Sequence, residues 1–321
     1  MAYLTAFVAH ADCGRHDTGW AHPEHQGRLP AILNAIYEDT PALLDVVLQA
    51  EAVPASESDL LRVHTPAHLE RVRAAVREAT RQETPVHLDA DTVVSAVSWE
   101  AAVAAAGSAI TAVRLVLTGE VGSAFALSRP PGHHAGVETA MGFCLFNNVA
   151  IAARWAQANH DIERVLIVDW DVHHGNGTQD IFYRDAKVYF LSVHQSPHYP
   201  GTGSAEEEGA GPGYGATLNI PVAAGVSRAE YMEAFDAALD TAVRASSPEL
   251  VLISAGMDCL NGDPLGGLSL EPQDIHRMTR RVVERARAPV VAVLEGGYEP
   301  SRAGLAVVNA LRAFGQLPAK D

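Results

Sequence analysis

A short apolar segment that ends in carboxylates and imidazoles constrains this chain more than any other feature. Residues 165–168 are all apolar, in a run too short for a helix and typical of a strand buried on both faces. Asp169, Asp171 and His173 follow at a spacing of two. Because side chains two apart on an extended chain point to the same side, these three can converge at the end of the strand. Oxygen and imidazole ligands of this kind suit zinc, iron or manganese, so the segment predicts a metal site.

Three other apolar segments end in residues that can do chemistry. Residues 122–127, 250–254 and 289–294 have the pattern of strands. They lead, in turn, into Arg129-Pro130-Pro131-Gly132-His133-His134-Ala135, Ala255-Gly256-Met257-Asp258 and Glu295-Gly296-Gly297-Tyr298. Any α/β protein carries polar loop residues near its strand ends, which is the alternative interpretation of each cluster alone. Ligands bind outside the carboxyl ends of the strands in open α/β sheets, so one shared cleft accounts for the clusters together.

Strand and helix patterns alternate along the chain without a linker or a low-complexity segment. Helical periodicity predicts helices over residues 27–39, 66–81, 95–117, 146–159, 228–246, 272–287 and 302–314. Short strands are predicted between them, including residues 186–193 and 216–221, and the apolar residues 1–10 are interpreted as a first strand. Such alternation indicates a mostly parallel sheet with helices on both faces, within one domain over residues 1–321. Long irregular segments, typical of functional loops, are residues 9–26, 129–142, 195–215 and 259–268.

Composition narrows the classes of function. The formal net charge of −16 leaves no basic stripe to replace phosphate counterions, so direct nucleic-acid binding is not expected. No run of about 18 apolar residues is evident, so no membrane span is expected. Three widely spaced cysteines, Cys13, Cys144 and Cys259, favour a reducing compartment, and we expect a cytoplasmic protein. The acidic run at residues 206–208 is interpreted as a solvated loop.

Together, the motifs of this chain resemble those of the zinc-dependent histone deacetylase family. The resemblance is closest to its class II branch and to the bacterial histone deacetylase-like amidohydrolases, and it extends from His22 to Tyr298. It implies the arginase/deacetylase fold, a single-domain three-layer α/β/α sandwich with a mostly parallel sheet of about eight strands. The motifs that carry it are His22-Pro23-Glu24, Pro131-Gly132-His133-His134-Ala135, Gly142-Phe143-Cys144-Leu145-Phe146-Asn147-Asn148, Asp169-Trp170-Asp171-Val172-His173-His174-Gly175-Asn176-Gly177-Thr178 and Glu295-Gly296-Gly297-Tyr298.

The resemblance implies a catalytic zinc held by Asp171, His173 and Asp258. Three protein ligands leave a coordination position for water and the substrate carbonyl, which is what a catalytic zinc needs. Iron is an alternative metal in the cell. The implied function is an amidohydrolase that removes acetyl or other acyl groups from the side-chain amine of lysine, by attack of metal-activated water.

The resemblance also implies the roles of the proton-transfer groups. His134 would be the general base that then protonates the leaving amine, with His133 as its electrostatic partner. Asp169 would accept a hydrogen bond from His133 and fix its tautomer. Tyr298 would donate its hydroxyl to the developing oxyanion. Asn176 stands where the class I branch has aspartate and class II has asparagine, and it would leave His134 less basic.

A substrate channel and a second cation are implied in the same way. Phe143 and Tyr199 would form facing aromatic walls around the methylene chain of lysine, and the carbonyl of Gly142 would accept the substrate amide N–H. A potassium ion would be bound near the metal by Asp169, Asp171, His173, Ser192 and Val193.

Leu265 bears on the choice of substrate. Polyamine deacetylases of the class II type carry a glutamate at this position, where a carboxylate attracts the secondary ammonium of an acetylated polyamine. Leucine offers no such charge, so acyl-lysine proteins or peptides are the expected substrates, and an acetylpolyamine deacetylase is the alternative. An arginase-like ureohydrolase would need a further set of metal ligands, and a non-catalytic acyl-lysine binding protein would lack a catalytic group. The sequence leaves the oligomeric state open.

Overall fold

An eight-stranded sheet forms the centre of the structure, which is a computed structural model and describes residues 4–321. The strands, numbered along the chain, are β1 (Thr5–Ala9), β2 (Val47–Glu51), β3 (Val86–His87), β4 (Val93–Val94), β5 (Ser123–Ala126), β6 (Val165–Asp169), β7 (Val188–Gln195), β8 (Thr217–Val222), β9 (Leu250–Ala255) and β10 (Val290–Leu294). The helices are α1 (Arg28–Glu38), α2 (Thr40–Leu43), α3 (Glu57–Leu60), α4 (Pro66–Gln82), α5 (Ser98–Leu117), α6 (Asn148–Asn159), α7 (Asn176–Phe182), α8 (Arg228–Ser246), α9 (Pro272–Ala286) and α10 (Pro300–Phe314). Short 3₁₀ turns are Ala11–Arg15 and Gly211–Gly213.

The order of the strands brings the motif-bearing segments together. The sheet runs β2-β1-β5-β10-β9-β6-β7-β8, and its neighbouring strands are parallel. Strands β9 and β10 are the last in the chain, yet they fill the gap between β5 and β6. The strands β5, β10, β9 and β6 are therefore consecutive at the centre of the sheet, and their carboxyl ends meet at one edge. A separate antiparallel pair, β3 with β4, lies apart from this sheet.

Apolar side chains on the two faces of the sheet pack into separate cores. In β6, Leu166 and Val168 belong to the core that includes α1, α8, α9 and α10. Val165 and Ile167 point the other way, into the core that includes α4, α5 and α6. All of β6 is buried, as expected for a parallel strand covered on both faces. The three-layer α/β/α arrangement around a parallel sheet confirms the predicted fold class.

The predicted helices are present with small shifts at their ends. Helix α6 begins at Asn148 because the side chain of Asn147 accepts a hydrogen bond from the backbone N–H of Ala150. Sequence patterns do not reveal β2 or α7. The residues of β2, at the edge of the sheet, are largely half-buried, which weakens their apolar pattern, and α7 has only seven residues. The predicted first strand corresponds to β1, and its residues 1–3 lie outside the described residues.

Helix α5 corrects the expectation that no segment is apolar enough to cross a membrane. The 20 residues of Ser98–Leu117 are long and apolar enough, by length and composition alone, to cross a membrane. In the structure most of this helix is buried. The helix packs against β5, β1 and α6, so its place in the core accounts for its composition.

The acidic run at residues 206–208 is only partly a solvated loop. Glu206 and Glu208 are exposed, whereas Glu207 is half-buried. The Glu207 carboxylate accepts hydrogen bonds from the backbone N–H of Gly203 and from the side-chain amide of Gln179. Glu207 therefore ties the loop after β7 to helix α7.

Asp39, at the end of α1, provides a test of the packing of the chain's C-terminal segment. Its buried carboxylate accepts hydrogen bonds from Arg312 at 2.7 and 2.9 Å and from Lys320 at 3.0 Å. Burial raises the pKa of Asp39, but the hydrogen bonds from Arg312 and Lys320 outweigh it and hold the pKa below its usual value. We expect Asp39→Asn to lower the free energy of unfolding by about 1.5–3 kcal/mol at neutral pH, the usual contribution of hydrogen bonds to a charged group.

The pH dependence of this effect follows from the direction of the shift. Because the folded-state pKa is lowered, the stabilisation is complete above the ordinary carboxyl pKa and is lost as the pH falls through the lowered value. Urea unfolding of wild type and Asp39→Asn, at neutral pH and in increasingly acidic buffers, should give curves that converge in acid. A difference that is independent of pH would contradict the role of the charge.

Candidate active site

Three predicted metal ligands lie together at the carboxyl edge of the sheet. Asp171 and His173 follow β6, and Asp258 follows the neighbouring strand β9. One ligand atom from each residue lies within 4.8 Å of the others. His173 Nδ1 is 3.0 Å from Asp171 Oδ1 and 3.3 Å from Asp258 Oδ2. All three side chains are buried, so the cluster is enclosed by protein.

The chemistry of this cluster fits a divalent cation. Oδ1 of Asp258 accepts the backbone N–H of Val172, but Oδ2 is buried and has no hydrogen-bond partner within residues 4–321. A buried carboxylate oxygen without a partner is costly, and a metal ion would satisfy it. Burial lowers the pKa of His173, yet the neighbouring carboxylates of Asp171 and Asp258 raise the pKa to about 10. A metal ion would take the place of the proton that these carboxylates attract.

Glycines allow the carboxylates to lie close to the backbone. A Cβ at Gly256 would collide with the carboxylate of Asp171, and one at Gly296 would collide with that of Asp258. The Gly296 N–H also donates to Asp171 Oδ2 at 2.9 Å. These two positions therefore require glycine, as the glycine-containing motifs after β9 and β10 predict.

His133 lies beside the metal ligands, between the carboxylates of Asp169 and Asp171. Its Nδ1 donates to Asp169 Oδ2 at 3.0 Å, and its Nε2 is 3.8 Å from Asp171 Oδ2. Burial lowers the pKa of His133, but the carboxylates of Asp171 and Asp169 raise it well above the usual value. The hydrogen bond with Asp169 is the one predicted from the motifs.

His134 is held as a neutral imidazole with one nitrogen available. Its Nδ1 lies 2.7 Å from Asn176 Oδ1, and because an amide oxygen only accepts, Nδ1 must be the donor. The lone pair is therefore on Nε2. Burial and the neighbouring His133 and His173 lower the pKa of His134 well below its usual value. The hydrogen bond with Asn176 raises the pKa of His134 but does not outweigh these effects, and the expectation that Asn176 leaves His134 less basic than an aspartate would stays a prediction.

Tyr298 lines the same cavity as His134 and is held by three other residues. Its backbone N–H donates to Asp263 Oδ2 at 2.6 Å, and the Arg28 guanidinium lies over its ring, 4.8 Å from the centroid. Phe143 packs edge-on against the ring, with centroids 5.7 Å apart. Burial raises the pKa of Tyr298 well above its usual value, although Arg28 lowers it. The phenol is therefore a hydrogen-bond donor at neutral pH.

Glu295 organises the loop that carries the paired histidines. Its Oε2 accepts the backbone N–H groups of Gly132 at 2.6 Å and His133 at 3.1 Å. Burial raises the pKa of Glu295 to about 7. Sequence reasoning placed Glu295 in a motif without a role, and the structure shows that it joins the end of β10 to the loop after β5.

A buried cluster of three charged residues, Glu24, Arg28 and Arg129, lies next to the site. Sequence reasoning assigned this cluster no role. Glu24 accepts from Arg28 at 3.0 Å and from Arg129 at 2.6 Å, and all three side chains are buried. Arg28 also donates to the backbone carbonyls of Glu295 and Gly297 at 2.8 and 2.7 Å. The cluster therefore holds the segment that leads to Tyr298. Its sequence signal is limited to Glu24 in the His22-Pro23-Glu24 motif and Arg129 at the start of the segment that leads to the paired histidines.

One cavity of about 520 Å³ leads to these groups. Phe143 and Tyr199, the predicted channel walls, both line it, and Gly142 and Leu265 do so as well. The structure adds Asp91, to which sequence reasoning gave no role. The remaining lining residues are His134, His173, Gln195, His198, Pro264, Gly266, Gly267 and Tyr298.

Three of the predicted potassium ligands lie on two adjacent strands, and the other two follow the first of these strands. Asp169 on β6 is paired in register with Ser192 on β7, where Val193 follows. Ser192 Oγ is 2.9 Å from His194 Nδ1. Asp171 and His173 belong to the segment that leaves β6. These residues are neighbours, and the binding of potassium by them stays a prediction.

The fold and the site together define an α/β protein of the hydrolase type, with buried carboxylates and imidazoles at the carboxyl ends of a parallel sheet. A model of the histone deacetylase domain matches residues 22–314. The chain therefore belongs to the histone deacetylase family, as the motifs predict. Membership supports a deacetylase activity.

Individual relatives agree with this assignment. The chain is 38% identical over 319 residues to a probable deacetylase of Archaeoglobus fulgidus, covering 97% of this chain and 87% of the relative. It is 39% identical over 297 residues to a histone deacetylase-like amidohydrolase of Pseudomonas aeruginosa, covering 90% of this chain and 76% of the relative. The crystal structure of the HDA15 HD domain superposes with a TM-score of 0.92 at 35% identity, covering 100% of this chain and 90% of that chain.

Proposed function

We propose that this protein is a zinc-dependent amidohydrolase that removes acetyl or other acyl groups from the side-chain amine of lysine in proteins or peptides. The observation that carries the proposal is the convergence of His134, Tyr298 and the metal-ligand candidate His173 on one cavity. A base, a hydrogen-bond donor and a metal site within one enclosed cleft are the parts that amide hydrolysis needs. The deacetylase names of the relatives support the same reaction.

In this reaction His134 transfers the protons. Its Nε2 carries the lone pair because Nδ1 donates to Asn176, so Nε2 takes a proton from the attacking water and returns it to the leaving amine. His133, held by Asp169, stabilises negative charge that develops beside it. The hydrogen bond to Asn176 keeps a proton on Nδ1 of His134 during the whole reaction.

Tyr298 stabilises the substrate oxygen. As the carbonyl carbon becomes tetrahedral, its oxygen gains negative charge, and the Tyr298 hydroxyl donates a hydrogen bond to it. The high pKa of Tyr298, caused by burial, keeps the proton on the phenol. Asp263 and Arg28 hold the backbone and ring of Tyr298 in place.

Asp171, His173 and Asp258 would hold the zinc, or iron as an alternative. Bound there, the ion would polarise the substrate carbonyl and lower the pKa of a water molecule. The buried Oδ2 of Asp258, which accepts no hydrogen bond from any described residue, supports this assignment. We also propose a potassium site formed by Asp169, Asp171, His173, Ser192 and Val193, one domain over residues 1–321, and a cytoplasmic location. The three cysteines are free and buried, as a reducing compartment permits.

The acyl-lysine assignment rests on the cavity walls. Phe143 and Tyr199 line the cavity, and the Tyr199 ring lies edge-on to both His134 and the metal-ligand candidate His173, which suits a slender methylene chain. Leu265 presents an apolar side chain where a carboxylate would attract a polyamine. The Asp91 carboxylate also lines the cavity and suits either a substrate amide N–H or an ammonium group, so an acetylpolyamine remains the second candidate.

A matched substrate panel tests the proposal. The zinc-loaded protein is assayed with acetyl-, longer-chain acyl- and trifluoroacetyl-lysine peptides, and with acetylated spermidine and putrescine. We expect the lysine peptides to be cleaved with the higher kcat/KM. Preference for the polyamines would overturn the substrate class. Binding of a hydroxamate without cleavage of any substrate would favour an acyl-lysine binding protein instead.

Leu265→Glu tests the reason given for the substrate class. A carboxylate at this half-buried wall position would attract a secondary ammonium, so we expect the ratio of kcat/KM for acetylspermidine to that for acetyl-lysine peptide to rise about tenfold, the effect of about 1.4 kcal/mol. Leu265→Gln, which has a similar shape without the charge, is the control. An unchanged ratio would show that other parts of the cavity decide selectivity.

A further inference from the structure

His198 connects separate parts of the cavity wall, and the proposed reaction assigns it no role. Its ring stacks on that of His173, with centroids 4.9 Å apart and planes inclined by 16°. Its Nε2 lies 2.8 Å from the backbone carbonyl oxygen of Leu265. Because a carbonyl only accepts, Nε2 must be the donor. His198 is half-buried and lines the cavity.

The segment that His198 contacts is the one that carries Leu265. We define residues 263–267 as the Leu265 segment. Asp263 anchors one side of it, because its Oδ1 accepts the Leu265 N–H at 2.9 Å and its Oδ2 accepts the Tyr298 N–H. On the other side, the Gly267 N–H donates to Gln195 Oε1 at 2.7 Å. His198 supplies the contact between these two anchors.

This contact matters because the Leu265 segment has little side-chain packing of its own. Gly266 and Gly267 have no side chains, and Pro264 is exposed. The backbone of glycine is conformationally free, so hydrogen bonds must hold it. Backbone bonds from Gly266 N–H to the Asp263 carbonyl and from Gly225 N–H to the Gly267 carbonyl hold the neighbouring residues, and His198 supplies the side-chain donor that sets the direction of the Leu265 carbonyl itself.

We propose that His198 is a positioning residue that determines selectivity for acyl-lysine, by holding Leu265 against the methylene chain of the substrate. The proposal rests on the proposed function. The stack on His173 holds the His198 ring in place, and the hydrogen bond from this ring holds Leu265. The distance between the Leu265 side chain and the reacting end of the cavity is therefore set. The expected loss on breaking one such neutral hydrogen bond is about three- to tenfold.

Two substitutions separate the stack from the hydrogen bond. His198→Phe keeps an aromatic ring against His173 and removes the donor to Leu265. His198→Gln removes the ring but places an amide N–H near the position of Nε2. His276→Phe is the matched control, because His276 is also half-buried and makes the same type of bond, from Nε2 to the Leu317 carbonyl oxygen at 2.8 Å, between α9 and the C-terminal segment.

We expect His198→Phe to raise KM for an acetyl-lysine peptide about three- to tenfold with little change in kcat. Acetylspermidine should be affected less, because Leu265 offers its ammonium no partner, so the preference for lysine falls. His198→Gln should recover part of the lost kcat/KM, and His276→Phe should behave as wild type. Unchanged KM and selectivity in His198→Phe would overturn the proposal.

Hydrogen–deuterium exchange gives a readout that does not depend on turnover. In His198→Phe the amides of the Leu265 segment should exchange faster than in wild type, with His198→Gln in between. Equal exchange in all three would overturn the positioning role. If wild type cleaves nothing but binds an alkyl hydroxamate, the proposed function fails, and weaker hydroxamate binding by His198→Phe would still support the role of His198.

Discussion

Asp258→Ala should reduce the metal content of the purified protein from about one ion per chain to nearly none, and should reduce hydrolysis to the background rate. A catalytic zinc site with three protein ligands cannot spare one. The substitution removes the carboxylate whose Oδ2 lacks a hydrogen-bond partner among the described residues, and it leaves the backbone N–H of Val172 unpaired. That unpaired group should cost about 1–3 kcal/mol of stability, which leaves the chain folded for measurement.

The measurement is elemental analysis after zinc loading and dialysis, together with activity on the best substrate of the panel. Asp171→Ala should behave in the same way. Asp39→Asn is the control, because Asp39 is also buried but ends α1 and leads toward β2, away from the carboxyl edge of the sheet. Full metal content in Asp258→Ala would refute the assigned ligand set.

Tyr298→Phe should lower kcat by about 10²- to 10³-fold while metal content and KM stay near those of wild type. This is the usual loss for one donor to a developing oxyanion. Phenylalanine keeps the ring that Arg28 and Phe143 contact, so only the hydroxyl is removed. Because the hydroxyl interacts chiefly with charge that develops during the reaction, the loss should appear in kcat.

Tyr231→Phe is a matched control for this substitution. Tyr231 is buried, and its hydroxyl has no hydrogen-bond partner in the part of the chain that the structure describes, so its removal should leave kcat unchanged. Steady-state rates, with circular dichroism and metal analysis of both variants, provide the comparison. A normal kcat in Tyr298→Phe would remove Tyr298 from the mechanism.

The sequence by itself determined the central strands and most of the site residues. The apolar run that becomes β6, and the Asp169, Asp171 and His173 that follow it, are local patterns whose meaning does not depend on distant residues. The same holds for the glycines at 256 and 296, since a backbone that must approach a carboxylate excludes a Cβ. The motifs also identified the family, because they occur in a fixed order.

Only the tertiary structure decided which residues far apart in the chain meet. Nothing local to β9 and β10 predicts that they lie between β5 and β6, and that placement brings Asp258 to His173 and Tyr298 to the same cavity. The contacts of Glu24 with Arg129 and of His198 with Leu265 have no pattern in the sequence. Helix α5 shows the same limit, since its apolar composition fits a membrane span as well as a core helix.

The physical reason is that spacing along the chain sets the direction of a side chain, whereas packing sets its partner. An alternating or continuous apolar pattern follows from the geometry of one strand and is therefore visible in the sequence. The burial of a charged group such as Glu24, or the direction of the Leu265 carbonyl, depends on which other segments cover it. Those segments are brought there by the order of the strands, which the whole core determines.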